Sequence, residues 1–126
     1  MTKLRQLHDL HGQSPWLDNL TRGDLTGGRL GRLVARGVRG VTSNPTIIAK
    51  AIGGSADYDR QLAALAASGH DAEASCWALV TDDLKQALAV LRPLYHRSGG
   101  GDGFVSVELA PALGAAERRS SVEIIR

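Results

Sequence analysis

A chain of 126 residues is enough for one domain, or for a piece of one. Hydrophobic residues make up 43% and charged residues 22%, the balance of a soluble protein with a core, and the 4% aromatic share leaves that core to Ala, Leu, Val and Ile. The net charge of +2 falls short of a dedicated nucleic-acid binder, and the lone Cys76 excludes both an intrachain disulfide and a cysteine zinc cluster.

Residues 3–11 form the first predicted helix, with Leu4, Leu7 and His8 on one side and Gly12-Gln13 as its stop. Pro15 to Asp18 reads as a short strand; a proline is tolerated at a strand's first position, which need not donate to the ladder. Thr26 is the expected cap of a helix over 27–36, ended by Gly37, with Leu30, Leu33 and Val34 on one face. Val38 to Thr42 is a second strand. Pro45 follows where a helix can begin, because its missing N–H costs nothing at a first helical position, and 46–51 continues that helix to Gly53-Gly54.

Ser55 is placed to cap the next helix, whose apolar stripe is Tyr58, Leu62 and Leu65. Residues 71–80 fit a helical face through Ala74, Trp77 and Ala78, but Cys76 to Val80 is also a continuous apolar run open to a buried strand; helix is the reading taken. Thr81 is the expected cap of a further helix with Leu84, Leu88, Leu91 and Tyr95 on one side, kinked or ended early by Pro93. Ser98 to Gly103 reads as a flexible glycine-rich connector, Phe104 to Leu109 as a third strand and 114–126 as helical. Strands alternating with helices predict an α/β protein with parallel strands and helical crossovers. No apolar run approaches the ~18 residues of a transmembrane helix and the N-terminus lacks an apolar signal region, so the expected location is the cytoplasm and no membrane partner is expected.

Side chains alternate across a strand. On the third strand Val105, Val107 and Leu109 point one way, and Phe104, Ser106 and Glu108 the other. Gly40, Thr42 and Asn44 share a face opposite Val41, and Trp16 and Asp18 share one opposite Leu17. A sheet covered on both faces would be apolar on both. In a (β/α)-barrel one set packs on the helices and the other faces the interior, where polar residues at the C-terminal mouth can be catalytic. Asp18, Asn44 and Glu108 each stand where a strand gives way to a loop or helix, and so form one candidate wall of an active site. Taken singly, Asp18 could be a turn or cap residue, Asn44-Pro45 a turn dipeptide and Glu108 a surface carboxylate. Asp18 and Glu108 could also be a glycosidase carboxylate pair. Arg29, Arg32 and Arg36 read as a solvated face, with no aromatics interleaved for nucleic-acid stacking. His8 and His11 have metal-like spacing without further ligands nearby and read as surface residues, so no metal is assigned.

Ser-Pro-Trp-Leu-Asp at 14–18, Gly-Val-Thr-Ser-Asn-Pro-Thr-Ile at 40–47, Asp57-Tyr58-Asp59 and Asp102-Gly103-Phe104-Val105-Ser106-Val107-Glu108 resemble the transaldolase family in order and spacing. The resemblance runs from about Gln13 to Pro111, and Thr-Ser-Asn-Pro is its most specific part. It implies a (β/α)8 TIM barrel, here incomplete, with about three parallel strands and their helices, so that residues 1–126 are the N-terminal part of a single barrel domain. It implies transfer of a dihydroxyacetone unit between sugar phosphates in the non-oxidative pentose phosphate pathway, without a cofactor, through a Schiff base on a lysine. By similarity Asp18 is the proton-transfer acid/base, Asn44 binds substrate hydroxyls with Thr42 beside it, and Glu108 holds the water used in forming and hydrolysing the imine.

The family's lysine lies on the next strand, in an Ile-Lys-Val-Pro-Ala-Thr type of segment that this sequence lacks. Lys3, Lys50 and Lys85 fall on predicted helices and none is assigned as nucleophile. The expectation is therefore a chain inactive by itself, prone to self-associate or to recruit a partner through an open barrel edge. The alternative is a non-catalytic partial-barrel subunit or interaction module.

Overall fold

A computed structural model describes residues 1–107. The first helix, α1 (Lys3–His11), is capped by Thr2, whose hydroxyl accepts from the Arg5 N–H, and ends where Gly12 turns left-handed at φ 65°. Strand β1 is short (Trp16–Leu17). The single helix expected over 27–36 is two. Helix α2 (Arg22–Thr26) starts at Thr21, whose side chain and that of Asp24 exchange bonds with each other's backbone in a capping box. Thr26 thus closes a helix rather than opening one. The chain restarts at Gly28, φ 70°, into α3 (Arg29–Arg36). The adjacent Gly27 and Gly28 separate the two, since neither carries a side chain to hold a continuous helix.

Strand β2 (Gly40–Ser43) leads into α4 (Pro45–Gly54), with Asn44 as its cap and Pro45 at its first turn. A 3₁₀ turn (Ala56–Tyr58), capped by Ser55, precedes α5 (Asp59–Ala67). Residues 72–97 form one helix, α6 (Ala72–Arg97), capped by Asp71. The helical reading of 71–80 holds, but Thr81 is interior and caps nothing. An unbroken buried stripe explains the continuity: Leu79, Val80, Leu84, Ala87, Leu91 and Leu94 all face the core. Pro93 is also interior, and the helix runs four residues past it because Leu94 still has core to fill. Strand β3 follows (Phe104–Val107). Glu108, Leu109 and the expected helix over 114–126 lie outside the described residues.

The sheet order is β1-β2-β3, parallel throughout, with Trp16 level with Gly40 and Phe104, and Leu17 level with Val41 and Val105. This register produces the two predicted faces. Val41 and Val105 are buried, and Leu17 and Val107 pack beside them under α6 and its neighbours. On the opposite face Trp16 and Phe104 remain 39% and 37% exposed. Tyr95 of α6 meets the Phe104 ring edge-on at 5.8 Å, and no described strand pairs the outer edges of β1 and β3. Burying side chains such as Leu30, Leu79, Leu91 and Val41 stabilises the layer by about 1.5–3 kcal/mol each.

Backbone bonds from Arg39 to Pro15 and from Gly103 to Arg39 (2.8 and 2.9 Å) align the N-terminal ends of the three strands. The glycine-rich segment is a compact run of turns. Gly100 and Gly101 donate to Tyr95 and Ser98, and the Ser98 hydroxyl accepts from the Asp102 N–H at 2.9 Å. No helix among the described residues is long and apolar enough to cross a membrane.

Candidate active site

Asp18 directly follows β1, and Thr42 lies near the C-terminal end of β2. The Thr42 hydroxyl donates to Asp18 Oδ1 at 2.7 Å and accepts from the Asn19 N–H at 2.9 Å. The Thr42 carbonyl accepts from the Leu20 N–H at 2.8 Å. One side chain and its own peptide therefore stitch the turn after β1 to the neighbouring strand. Asn19 sits at φ 55°, a conformation that asparagine tolerates better than most residues, so the chain turns immediately after the carboxylate. Asp18 is exposed at the strand ends with its orientation set by a hydroxyl donor through a charge-assisted bond.

Asn44 is next along, half-buried, with Oδ1 accepting from the Thr46 N–H at 3.0 Å at the start of α4. Asn44 thus has a helix-capping role in addition to any contact with a substrate. Ser106 is exposed and level with Thr42 across β2 and β3. Asp18, Thr42 and Asn44 are thus gathered at one end of the sheet. Below them the face carries the half-exposed rings of Trp16 and Phe104. The Trp16 ring lies against Gly40 so closely that a Cβ there would stand 2.4 Å from its Cε2 atom, which explains a glycine mid-strand.

Two further polar clusters lie away from these strand ends. At the N-terminal strand ends, Asp102 accepts from the Ser14 hydroxyl and from Arg39 Nε (2.5 Å), with His8 Nε2 3.9 Å away. Burial works to raise the Asp102 pKa, but the Ser14 and Arg39 bonds and the Arg39 and His8 charges outweigh it and hold the carboxyl below its usual value. In barrels this end serves stability rather than chemistry.

The second cluster is buried in the helical layer. Asp83, 0% exposed, accepts from Arg22 Nε through Oδ1 and from the Tyr58 hydroxyl through Oδ2, both at 2.7 Å. Arg22 also donates to Gln61 Oε1 (2.7 Å) and to the Leu79 carbonyl (3.3 Å), and lies over the Tyr58 ring at 4.2 Å. Burial, then the bond to Asp83 and its charge, push the Tyr58 phenol well above its ordinary range. The signal for this cluster was present in the sequence: Asp83 falls on the apolar stripe four residues from both Leu79 and Ala87. Reading Thr81 as the cap of a further helix breaks that stripe and puts Asp83 in a first turn. Among the described residues no group of three or more His, Cys, Asp or Glu side chains is placed to hold a metal ion.

The family model described as Transaldolase/Fructose-6-phosphate aldolase matches residues 15–121. A transaldolase of Thiobacillus denitrificans is 48% identical over 103 residues, 81% of this chain and 29% of that protein. One from Thermobifida fusca is 43% identical over 121 residues, 95% of this chain and 33% of its own. Transaldolase 2 of Streptomyces coelicolor is 43% identical over 111 residues, 87% and 30%. The chain thus spans about a third or less of the length of these relatives. The matched segment contains all three strands and the Asp18–Thr42 pair, and its parallel, unclosed α/β sheet is what the opening of a (β/α)-barrel requires. By that match, the chain belongs to the transaldolase/fructose-6-phosphate aldolase family.

Proposed function

We propose that this chain is the N-terminal part of a transaldolase barrel and supplies the proton-transfer side of its site. The observation that carries the reading is the Asp18 carboxylate, aimed by the Thr42 hydroxyl at the C-terminal ends of β1 and β2, within the segment matched by the family. The reaction would move a dihydroxyacetone unit between sugar phosphates, from sedoheptulose 7-phosphate to glyceraldehyde 3-phosphate. Asp18 takes the proton from the substrate hydroxyl as the carbon–carbon bond breaks and returns it on the reverse path. Asn44 and Thr42 orient the substrate's hydroxyls, and Glu108 holds the water for imine formation and hydrolysis.

The amine must come from elsewhere. Lys3, Lys50 and Lys85 are exposed on α1, α4 and α6, none at the C-terminal end of a strand. The 126-residue chain alone is therefore inactive on sugar phosphates. A partial sheet whose outer edges no described strand pairs supports a second reading, a non-catalytic module that pairs with another chain; light scattering after size exclusion separates a defined complex from a monomer.

The experiment is a graft. Residues 13–111 of this chain replace the matching segment of the Thiobacillus denitrificans transaldolase. Turnover of fructose 6-phosphate with erythrose 4-phosphate is followed, along with borohydride trapping of the imine. The graft is expected to be active. Asp18→Asn should lower kcat by about 10²–10⁴-fold, while the lysine is still trapped. Full activity in the Asp18→Asn graft, or turnover by the ungrafted chain, overturns the reading.

A further inference from the structure

Asp83 belongs to α6, far along the chain from the candidate site, and no part of the proposed chemistry uses it. Yet both its oxygens are taken by residues of the segments that follow β1 and β2. Arg22 opens α2, four residues after Asp18. Tyr58 ends the 3₁₀ turn beyond α4, the helix that Asn44 caps. The segment between Asp18 and Arg22 is thus held at both ends. Thr42 binds the Asn19 and Leu20 amides on the sheet side. Asp83, Gln61 and the Leu79 carbonyl bind the Arg22 side chain on the helix side.

We propose that Asp83 is a positioning residue: through Arg22 it anchors the Asp18–Arg22 segment to α6 and so keeps the Asp18 carboxylate against Thr42. Arg22 is the arm that matters for Asp18, because it is the one continuous with the loop; Tyr58 is a second arm, toward the segment after β2. The geometry favours a tether over simple packing. Nε of a guanidinium meets one carboxylate oxygen while a second side chain occupies the other, so the Arg22 rotamer is determined and its backbone with it. The competing account is that buried Leu20 alone pins the loop, with Arg22 and Asp83 doing no more than fill the layer. The proposal concerns the loop that carries Asp18 under the function proposed above, but the tether can be read whether or not Asp18 proves catalytic.

The test is amide hydrogen exchange by NMR on the 126-residue chain with Asp83→Asn, Arg22→Gln and Tyr58→Phe. Asp83→Asn and Arg22→Gln should each speed exchange at Asn19 and Leu20 by about tenfold or more beyond the change at the amides of β2 and β3, which reports the accompanying loss of global stability. Tyr58→Phe keeps the Arg22 arm and should leave Asn19 and Leu20 within about threefold. Unchanged protection at Asn19 and Leu20 in Arg22→Gln overturns the proposal in favour of Leu20. So does equal loss across the sheet, and so does failure of both Asp83→Asn and Arg22→Gln to fold, since each makes the cluster a global support rather than a local tether. Should only Asp83→Asn fail to fold, Arg22→Gln decides. A positive exchange result beside an active Asp18→Asn graft would keep the tether and remove the proposed role of Asp18.

Discussion

Asp83→Ala should be among the most damaging single substitutions in the helical layer. The Arg22 and Asp83 side chains are 8% and 1% exposed, so the variant leaves a guanidinium charge buried with only the Gln61 and Leu79 oxygens near it. The Tyr58 hydroxyl loses its acceptor at the same time. Removing one partner of a buried pair costs about 3–5 kcal/mol, mostly as the penalty on the charge left behind. Set against a total stability of about 5–15 kcal/mol, that leaves the chain folded with a much reduced margin. The attraction itself is a smaller quantity, because desolvating both ions opposes it. Arg22→Met, Tyr58→Phe and Asp83→Leu made together should therefore lie within about 1 kcal/mol of the parent, or above it. Urea unfolding followed by far-ultraviolet circular dichroism and by the combined fluorescence of Trp16 and Trp77 gives both values. A loss below about 1 kcal/mol in Asp83→Ala, or a triple variant as unstable as the single, refutes the reasoning.

Gly40→Ala must displace the Trp16 ring, whose Cε2 and Cδ2 atoms lie 2.4 and 2.6 Å from the new Cβ, and should cost about 1–3 kcal/mol with a shift in tryptophan emission. Gly31→Ala, in α3 with nothing within 4 Å, should instead stabilise by up to about 1 kcal/mol; the same urea curves rank the two. Asp102 and Asp24 both have folded-state pKa values below their unfolded ones, for Asp24 because the Arg29 and Thr21 bonds outweigh burial. Their stabilisation is complete above about pH 4 and is lost as pH falls through the unfolded and then the folded value. Urea midpoints should therefore drop from pH 5 toward pH 3, less steeply in Asp102→Asn, and a midpoint that rises on acidification contradicts the assignment. Thr42→Val should cost about 1–3 kcal/mol by orphaning the Asn19 N–H, with faster exchange at that amide, whereas Thr42→Ser retains it.

Local features were legible because they are written within a few residues. The helix start at Pro45, the cap at Ser55, the Gly12 and Gly37 helix ends and the alternation on β2 and β3 depend on neighbours one to four positions away. The misread boundaries share a cause. Thr26 and Thr81 are plausible caps in isolation, but Thr21 with Asp24, and Asp71 with a long buried stripe, are better once the helices have something to pack on.

The sequence by itself determined the alternating strands and helices, the polar residues at the strand ends and the motifs that place the chain in its family. Only the tertiary structure decided which of those residues meet. Thr42 reaches Asp18 across 24 positions because parallel pairing of β1 and β2 brings their ends level. Arg22 reaches Asp83 across 61 because α2 and α6 pack in the same layer. A side chain's local pattern reports the face it occupies; its partner is set by how distant elements stack to bury their apolar faces, and no short window of sequence contains that choice.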